Sequence, residues 1–167
     1  MYQENGLTRR EREITDVEEI RRILDESKIV HVGMCLSDEP YVVPMNYGYI
    51  LEDGELTLYL HGAKIGKKLD IMRQNPKVFF EIECAVTPFE GDIACRYGIT
   101  YSSVMGRGVA EIIDDSDVEE KKKALSVLMK TQTGKDFSFD DRMAAIVSVI
   151  RIKASGFTAK HRPMPKR

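Results

Sequence analysis

The sequence predicts a mainly β protein in which a small antiparallel barrel carries helices on its outside. Six short segments are rich in strand formers, and they are joined by hairpins and bends or have helices set between them. This order does not fit a doubly wound parallel sheet. A closed or split antiparallel barrel would let six such strands bury both ends. The predicted strands are residues 29–36, 41–51, 55–61, 77–84, 99–113 and 145–154.

Length and composition indicate one domain over residues 1–167. The chain has 167 residues, of which 43% are hydrophobic and 31% charged, and this balance is typical of a folded protein rather than a disordered one. The formal net charge of -2 argues against a broad nucleic-acid-binding face. The ends, residues 1–12 and 163–167, are polar or proline-rich, and we expect them to be loose tails.

Cysteine spacing and hydropathy limit the sites and compartments to consider. Cys35, Cys84 and Cys95 are odd in number and far apart, so we expect neither a disulfide framework nor a metal site. The N-terminus lacks an apolar signal region, and no apolar run approaches the length of a membrane-spanning helix. These features favour a cytoplasmic protein without a membrane partner.

Turn and cap patterns divide the chain. Thr15 with Glu18 and Ser116 with Glu119 each match the capping-box spacing, and they predict helices that end near residues 27 and 130. Asp53-Gly54 predicts a hairpin. Pro44 falls inside the second predicted strand and has no N–H for a ladder, so this strand is bulged there or lies at an edge.

A basic turn joins the third predicted strand to a helix that stops at residues 75–76. It contains Lys64, Gly66, Lys67 and Lys68 just where the helix begins. A helix start offers unpaired N–H groups and partial positive charge, and glycine lets an anion approach the backbone. The turn could therefore hold a phosphate group. The alternative is an ordinary solvated helix start.

The order of these features resembles a known family. The segments that carry the likeness are VVPMNYGY (42–49), LYLHGAKIGKK (58–68), NPKVFFEIE (75–83), CRYGITYSSVMGRGVAEII (95–113) and FTAKHR (157–162). Together they resemble the FMN-binding split-barrel superfamily of pyridoxamine 5'-phosphate oxidase, and within it the nitroimidazole-resistance (nitroreductase-type) flavoproteins. The resemblance implies a six-stranded antiparallel split β-barrel that forms a homodimer with two FMN molecules at its interface.

The resemblance also implies which residues contact the cofactor. The segment beside the flavin ring matches Val43, Pro44, Met45, Asn46 and Tyr47, and the phosphate turn matches His61, Gly62, Ala63, Lys64, Gly66, Lys67 and Lys68. Ser102 and Ser103 would bond to FMN from the second subunit. His61 is also a candidate catalytic residue that donates a hydrogen bond or proton to the acceptor. For Tyr47, core packing and a dimer contact are equal alternatives.

Three departures separate the chain from true pyridoxamine phosphate oxidases. The second strand lacks their arginine, and the turn has Gly66-Lys67-Lys68 in place of Ser-Arg-Lys. The C-terminus reads His161-Arg162-Pro163-Met164-Pro165 in place of an Arg-Leu-x-Pro element. The residues that would anchor the vitamin substrate are therefore not evident.

The resulting hypothesis is an FMN-dependent oxidoreductase that passes electrons from NAD(P)H to a nitroaromatic, quinone or similar small acceptor. No G-x-G-x-x-G fingerprint occurs, so NAD(P)H would bind transiently over the flavin. Two alternatives stay open: a flavin-binding or storage protein without catalysis, and a phosphate-binding interaction domain without flavin. The sequence also leaves open FAD, a deazaflavin or haem in place of FMN.

Overall fold

The computed structural model describes residues 9–165, which form eight strands and four α-helices. The strands are β1 (Glu13–Ile14), β2 (Val30–Leu36), β3 (Glu39–Met45), β4 (Gly48–Glu52), β5 (Glu55–Gly62), β6 (Lys77–Phe89), β7 (Gly98–Ile112) and β8 (Ser148–Arg162). The helices are α1 (Val17–Glu26), α2 (Lys67–Gln74), α3 (Val118–Thr133) and α4 (Asp141–Ala145). Within residues 9–165, no helix is both long and apolar enough to cross a membrane.

All eight strands belong to one antiparallel sheet that stays open. The strand order is β3-β2-β6-β7-β8-β5-β4, and β1 pairs with β8. The two edge strands, β3 and β4, are consecutive in the chain and are joined by Asn46 and Tyr47 alone. The sheet therefore curls until its edges meet at this linker, although β3 and β4 form no ladder with each other over residues 9–165. We call the gap between these edges the split. The prediction of a mainly β, antiparallel split barrel with flanking helices is confirmed.

The second predicted strand, residues 41–51, is two strands in the structure. The break falls at Asn46 and Tyr47, two residues after Pro44. Pro44 itself lies on β3, which pairs with β2 alone over residues 9–165 and so has a free edge, where a missing N–H costs no ladder bond. The expected edge position is confirmed, and the strand count rises from six to eight because β1 is also added.

Two other predicted boundaries were wrong. Strand β6 continues to Phe89 through a bulge between Cys84 and Thr87, where the sequence indicated a loop from residue 85. The last strand starts at Ser148 and runs to Arg162, because residues 145–147 close a short helix and its exit. Strand β1 begins at Glu13 and β8 ends at Arg162, directly next to the predicted tails of residues 1–12 and 163–167, and a short 3-10 helix over Arg10–Arg12 lies within the first of them. Residues 1–8 and 166–167 of the predicted tails lie outside the described residues.

Both predicted capping boxes are shifted by one residue. Asp16 caps α1 by accepting from the N–H of Glu19, and Asp117 caps α3 by accepting from the N–H of Glu120. Each aspartate is followed three residues later by a glutamate, so the same spacing recurs one position along the chain. Aspartate caps at least as well as serine or threonine, and its negative charge suits a helix start.

The barrel interior is one apolar core that α1 and α2 approach from opposite ends of the strands. Alternate residues of β2, β5, β6 and β8 face inward, as the strand period requires, and the inner members are Val30, Val32, Met34, Leu56, Leu58, Leu60, Val78, Phe80, Ile82, Ile150 and Ile152. Helix α1 contacts the start of β7 through Arg22 and Ser102, whereas the N–H of Ala110, near the end of β7, bonds the carbonyl of Pro76 just after α2.

Helices α3 and α4 cover part of the outer face and form a second, smaller core. It contains Tyr59, Ile113, Leu125 and Val149. Strand β4 approaches α3 so closely that a Cβ added at Gly48 would lie 2.3 Å from the Cα of Leu128. Only glycine allows this backbone contact, and it fixes α3 against the edge of the sheet next to the split.

Candidate functional site

The strand-to-helix turn of residues 63–66 is open to solvent on the side where α2 begins. Gly66 precedes the helix with φ 145°, a left-handed region that glycine alone enters freely, and an added Cβ there would meet no atom within 4 Å. Because glycine has no side chain, the first N–H groups of α2 receive no side-chain cap. The turn thus presents unpaired donors and the positive end of a helix, which together suit an anion.

The three lysines of the turn differ in what they contact. Lys64 lies 2.5 Å from a carboxylate oxygen of Asp115, and Lys67 lies 3.1 Å from one of Glu39. The ammonium of Lys67 also stands 4.8 Å from the centre of the Tyr41 ring. Lys68 has no carboxylate within 4.0 Å among residues 9–165. Of the three predicted phosphate ligands, Lys68 is therefore the one whose charge is uncompensated.

Lys68 lies flat over the backbone at the end of β5. A Cβ added at Gly62 would meet Lys68 Cε at 3.1 Å and Nζ at 3.2 Å, and Met45 Cε at 3.9 Å. Glycine at this position therefore leaves room for the half-buried Lys68. The lysine lies next to the split, where the end of β5 extends past β4 and comes near Met45 of β3. The contact brings together two of the predicted groups, the turn and the strand segment that ends with Met45.

Asp115 ties the turn to the outer core. The Oδ1 atom that accepts from Lys64 also accepts from Lys121 at 2.9 Å, and Lys121 is fully buried with a second bond to the carbonyl of Val147 at 2.9 Å. Hydrogen bonds from the two ammonium groups, Lys64 first, lower the pKa of Asp115 to about 2. The charge of Lys64 is thereby engaged by Asp115, and we interpret Lys64 as a residue that fixes the position of the turn rather than one that binds an anion.

The imidazole of His61, which directly precedes Gly62, has a nitrogen atom without a hydrogen bond. Its Nδ1 atom is buried and has no hydrogen-bond partner within the described part of the chain. Burial lowers the pKa of His61 below its ordinary value of 6.5, so the imidazole is neutral at pH 7. A buried polar atom without a partner carries a free-energy cost, which a ligand that supplies the missing bond would remove.

The predicted ring-contacting residues alternate along β3 and its exit. Val43 and Met45 are half-buried and pack on the barrel core, whereas Pro44 and Asn46 are exposed. Since β3 is an edge strand, half of its backbone N–H and C=O groups point into the split without a ladder partner. This strand therefore offers both apolar side chains and backbone hydrogen-bonding groups along one wall of the split. Ala63, which follows Gly62, is exposed.

Tyr47 lies in the core, the alternative that the sequence left open. Its ring is fully buried, and its hydroxyl donates to the carbonyl of Leu24 at 2.7 Å and lies 3.4 Å from that of Ser27. Burial raises the pKa of Tyr47 far above its usual range. The side chain closes the end of α1 and leaves no accessible atom for a cofactor.

Ser102 and Ser103 lie at the opposite end of the barrel from the turn. Ser102 pairs with His161 on β8, whereas His61 pairs with Val149, and the twelve residue steps from Val149 to His161 span up to roughly 40 Å. Ser102 is buried, 2.9 Å from Nδ1 of His161 and 3.4 Å from Arg22. Within one subunit these serines do not share a site with the basic turn.

The structure adds three residues that sequence reasoning missed: Glu39, Tyr41 and Asp115. Each contacts a lysine of the turn from a distant part of the chain, and a lone acidic residue in a turn does not reveal its partner. Within residues 9–165 no group of three or more His, Cys, Asp or Glu is placed to hold a metal. The three cysteines are free, with Cys84 buried.

The chain is similar to known proteins in sequence and in fold. The family model for pyridoxamine 5'-phosphate oxidase matches residues 16–161. No curated protein matches the chain. Among solved structures, a proposed 5-nitroimidazole antibiotic resistance protein from Bacteroides thetaiotaomicron is 33% identical, with 89% of this chain and 86% of that chain covered and a TM-score of 0.74.

More distant structures share the fold. A FAD and haem binding protein from Mycobacterium smegmatis has a TM-score of 0.75 at 16% identity, over 93% of this chain and 76% of that chain. The flavocytochrome Anf3 from Azotobacter vinelandii has a TM-score of 0.73 at 19% identity, over 98% and 75%. The match of the family model over most of the chain, on a split barrel with a basic turn at the split, shows that the protein belongs to the pyridoxamine 5'-phosphate oxidase family.

Proposed function

We propose that the protein is an FMN-dependent oxidoreductase, similar to nitroimidazole and nitroaromatic reductases, that takes electrons from NAD(P)H and passes them to a small acceptor. The observation that carries the proposal is the uncompensated Lys68, which lies over Gly62 at the open start of α2 and beside the edge strand β3. A flavin bound there supplies the redox chemistry, since it accepts a hydride and releases electrons singly or in pairs.

The turn favours a terminal phosphate monoester, and hence FMN. The donors would be Lys68, whose ammonium lies over Gly62, and the uncapped N–H groups at the start of α2. Such a set matches the several oxygens of one phosphate group, and a charge-assisted bond to a lysine is stronger than a neutral one. The Mycobacterium smegmatis protein of similar fold is a FAD and haem binding protein, which makes FAD the competing cofactor to test.

The split provides the place for the ring. The free edge of β3 would bond the polar edge of the flavin, with Val43 and Met45 against its faces and the exposed Asn46 amide within reach. His61 stays neutral because of burial and would donate or accept one hydrogen bond through Nδ1. If the protein is an oxidoreductase, the hydrogen bond from His61 would polarise the electron acceptor, and NAD(P)H would bind transiently on the exposed face of the flavin.

We infer that the working unit is a homodimer with the flavin at its interface. The outer face of β3 and β7 exposes the apolar side chains of Val42, Met105 and Val109 to 61%, 39% and 50%. Ser103 lies on this same face. A second copy packed here would cover the apolar side chains and bring its Ser103 towards the flavin, which one subunit alone does not allow.

The substrate is a small electron acceptor other than pyridoxamine phosphate. Family membership gives the fold, but the arginine and the Ser-Arg-Lys turn that anchor the vitamin substrate have no counterpart here. We place the reaction in the cytoplasm, where NAD(P)H is available and where three free cysteines stay reduced.

The test begins with a visible absorption spectrum of the purified protein before and after addition of FMN and removal of the excess. Retained flavin supports the proposal. NADH or NADPH is then added with a nitroaromatic or quinone acceptor, and turnover above that of free FMN establishes an oxidoreductase. Retained flavin without such turnover indicates a binding or storage protein, and no retained flavin indicates the phosphate-binding domain.

A further inference from the structure

Two lysines of the turn carry counter-ions of different strength. Asp115, the partner of Lys64, is also held by the buried ammonium of Lys121. Glu39, the partner of Lys67, is 72% exposed, and no other contact holds its carboxylate among residues 9–165. Exposed ion pairs are weak because water solvates both groups, whereas a carboxylate held by a buried ammonium is fixed in place.

The ion pair between Lys67 and Glu39 links β3 to α2, with 3.1 Å between the ammonium and the carboxylate oxygen. Glu39 is the first residue of β3, and Lys67 is the first residue of α2, so the bond joins the edge strand to the start of the phosphate-binding helix. The ring of Tyr41, two residues along the same face of β3, supports the lysine at 4.8 Å. Without a ligand, the carboxylate of Glu39 is therefore paired with the ammonium of Lys67.

We propose that Glu39 is an internal competitor of the phosphate group, a carboxylate that the ligand must displace from Lys67 and that thereby sets the affinity of the site for FMN. The inference rests on the proposed function, because it takes the turn as the phosphate site. A phosphate dianion carries more charge than a carboxylate and also bonds the N–H groups at the start of α2, which Glu39 does not contact.

The competition makes the site selective. A neutral ligand that lacks phosphate gains nothing from displacing Glu39, so the carboxylate affects only phosphorylated ligands. Removing its charge should tighten FMN binding by the value of one exposed ion pair, about threefold to fivefold, and leave riboflavin binding unchanged. The gain should vanish when Lys67 is also neutral.

The experiment compares Glu39→Gln with Asp38→Asn in the full chain. Asp38 is the preceding residue, and its φ of 64° suits asparagine, so the control makes the same change of charge in the same turn without strain. Titration of FMN and of riboflavin, followed by flavin fluorescence, should show tighter FMN binding in Glu39→Gln alone. The same substitution in a Lys67→Gln background should have no effect.

Inorganic phosphate separates failure of this inference from failure of the flavin proposal. Stabilisation of the chain against heat by increasing phosphate measures the anion site without flavin. If the wild type binds no flavin, the flavin proposal falls, and the competition still predicts half-maximal stabilisation of Glu39→Gln at a threefold to fivefold lower phosphate concentration. Equal concentrations for wild type and variant, an equal gain in Asp38→Asn, or a gain that survives in Lys67→Gln would each overturn the inference.

Discussion

At the end of the barrel where α1 lies, polar side chains are hydrogen-bonded, whereas near the start of α2 two groups, within residues 9–165, lack the partner that each would take. Tyr47 donates to a carbonyl of α1, and Ser102 pairs with His161 beside Arg22. At the other end, His61 Nδ1 has no bond and Lys68 has no carboxylate near it within residues 9–165. The first arrangement stabilises the fold, and the second leaves binding free energy for a ligand.

The largest effect that would test this contrast comes from Lys68→Met. The substitution keeps the length of the side chain and removes the ammonium of the turn that has no carboxylate within 4.0 Å among residues 9–165. We expect the dissociation constant of FMN to rise at least tenfold, since a charge-assisted hydrogen bond contributes about 1.5–3 kcal/mol, while riboflavin binding stays the same. Lys64→Met is the matched control, because Asp115 already engages that ammonium, and it should shift the constant less than threefold. Equal effects of the two would remove the distinction between the lysines.

The next effect concerns the uncovered sheet face. Val109→Glu places a charge at the centre of the proposed dimer interface and should convert the dimer to a monomer that retains less flavin. Val17→Glu is the control, since Val17 is exposed to 46% on α1, close to the 50% of Val109, and lies away from this face. Light scattering after size-exclusion chromatography measures both. A dimer that survives Val109→Glu unchanged would place the interface elsewhere.

At the α1 end, Tyr47→Phe should change stability without changing binding. Loss of the hydroxyl leaves the carbonyl of Leu24 with one bond fewer in a buried site, which costs about 1–3 kcal/mol. Chemical denaturation should show the lower free energy of unfolding, and FMN affinity should stay within twofold. Tyr101→Phe removes a longer contact, 3.4 Å from Arg12, and should cost less. A large loss of flavin affinity in Tyr47→Phe would return this residue to the binding site.

The smallest effect is a pH dependence from His61. Its folded-state pKa lies below the ordinary 6.5, so well above pH 6.5 the ring is neutral in both states and contributes no slope. As pH falls below 6.5, the unfolded chain takes up a proton that the folded protein does not, and stability is lost until the folded-state pKa is reached. Denaturation between pH 8 and pH 5 should therefore show a shallower decline in His61→Gln than in the wild type. Parallel curves would mean that burial does not shift this pKa.

The fold could be predicted from local sequence patterns. The contacts that make the α1 end of the barrel different from the start of α2 could not. Alternation located the strands, and Pro44 indicated an edge, because these properties depend on neighbouring residues. The break at Asn46 and Tyr47 depends on how the sheet curls, which no local pattern records. The resemblance to a flavin family led to the prediction that Ser102 is a ligand. Its hydrogen-bond partner His161 is 59 residues away in the chain, so the sequence did not reveal that contact.

The basic turn is a second case in which the sequence located a feature but did not show its tertiary contacts. The spacing of glycine and lysine was enough to place an anion site at the start of α2. It was not enough to rank the lysines, because Glu39 and Asp115 reach them from 28 and 51 residues away. Ion pairs of this kind arise from the tertiary fold, and they determine which charges remain for a ligand.

The central claim is that the start of α2 binds the phosphate group of FMN. The most direct measurement is the ratio of the dissociation constants of riboflavin and FMN for the wild-type protein, obtained by flavin fluorescence at one ionic strength. The two ligands share the ring and differ in the phosphate group. A riboflavin constant at least tenfold larger than that of FMN is the predicted result, equivalent to about 1.4 kcal/mol from the phosphate contacts. Equal constants, or no binding of either ligand, would contradict the claim.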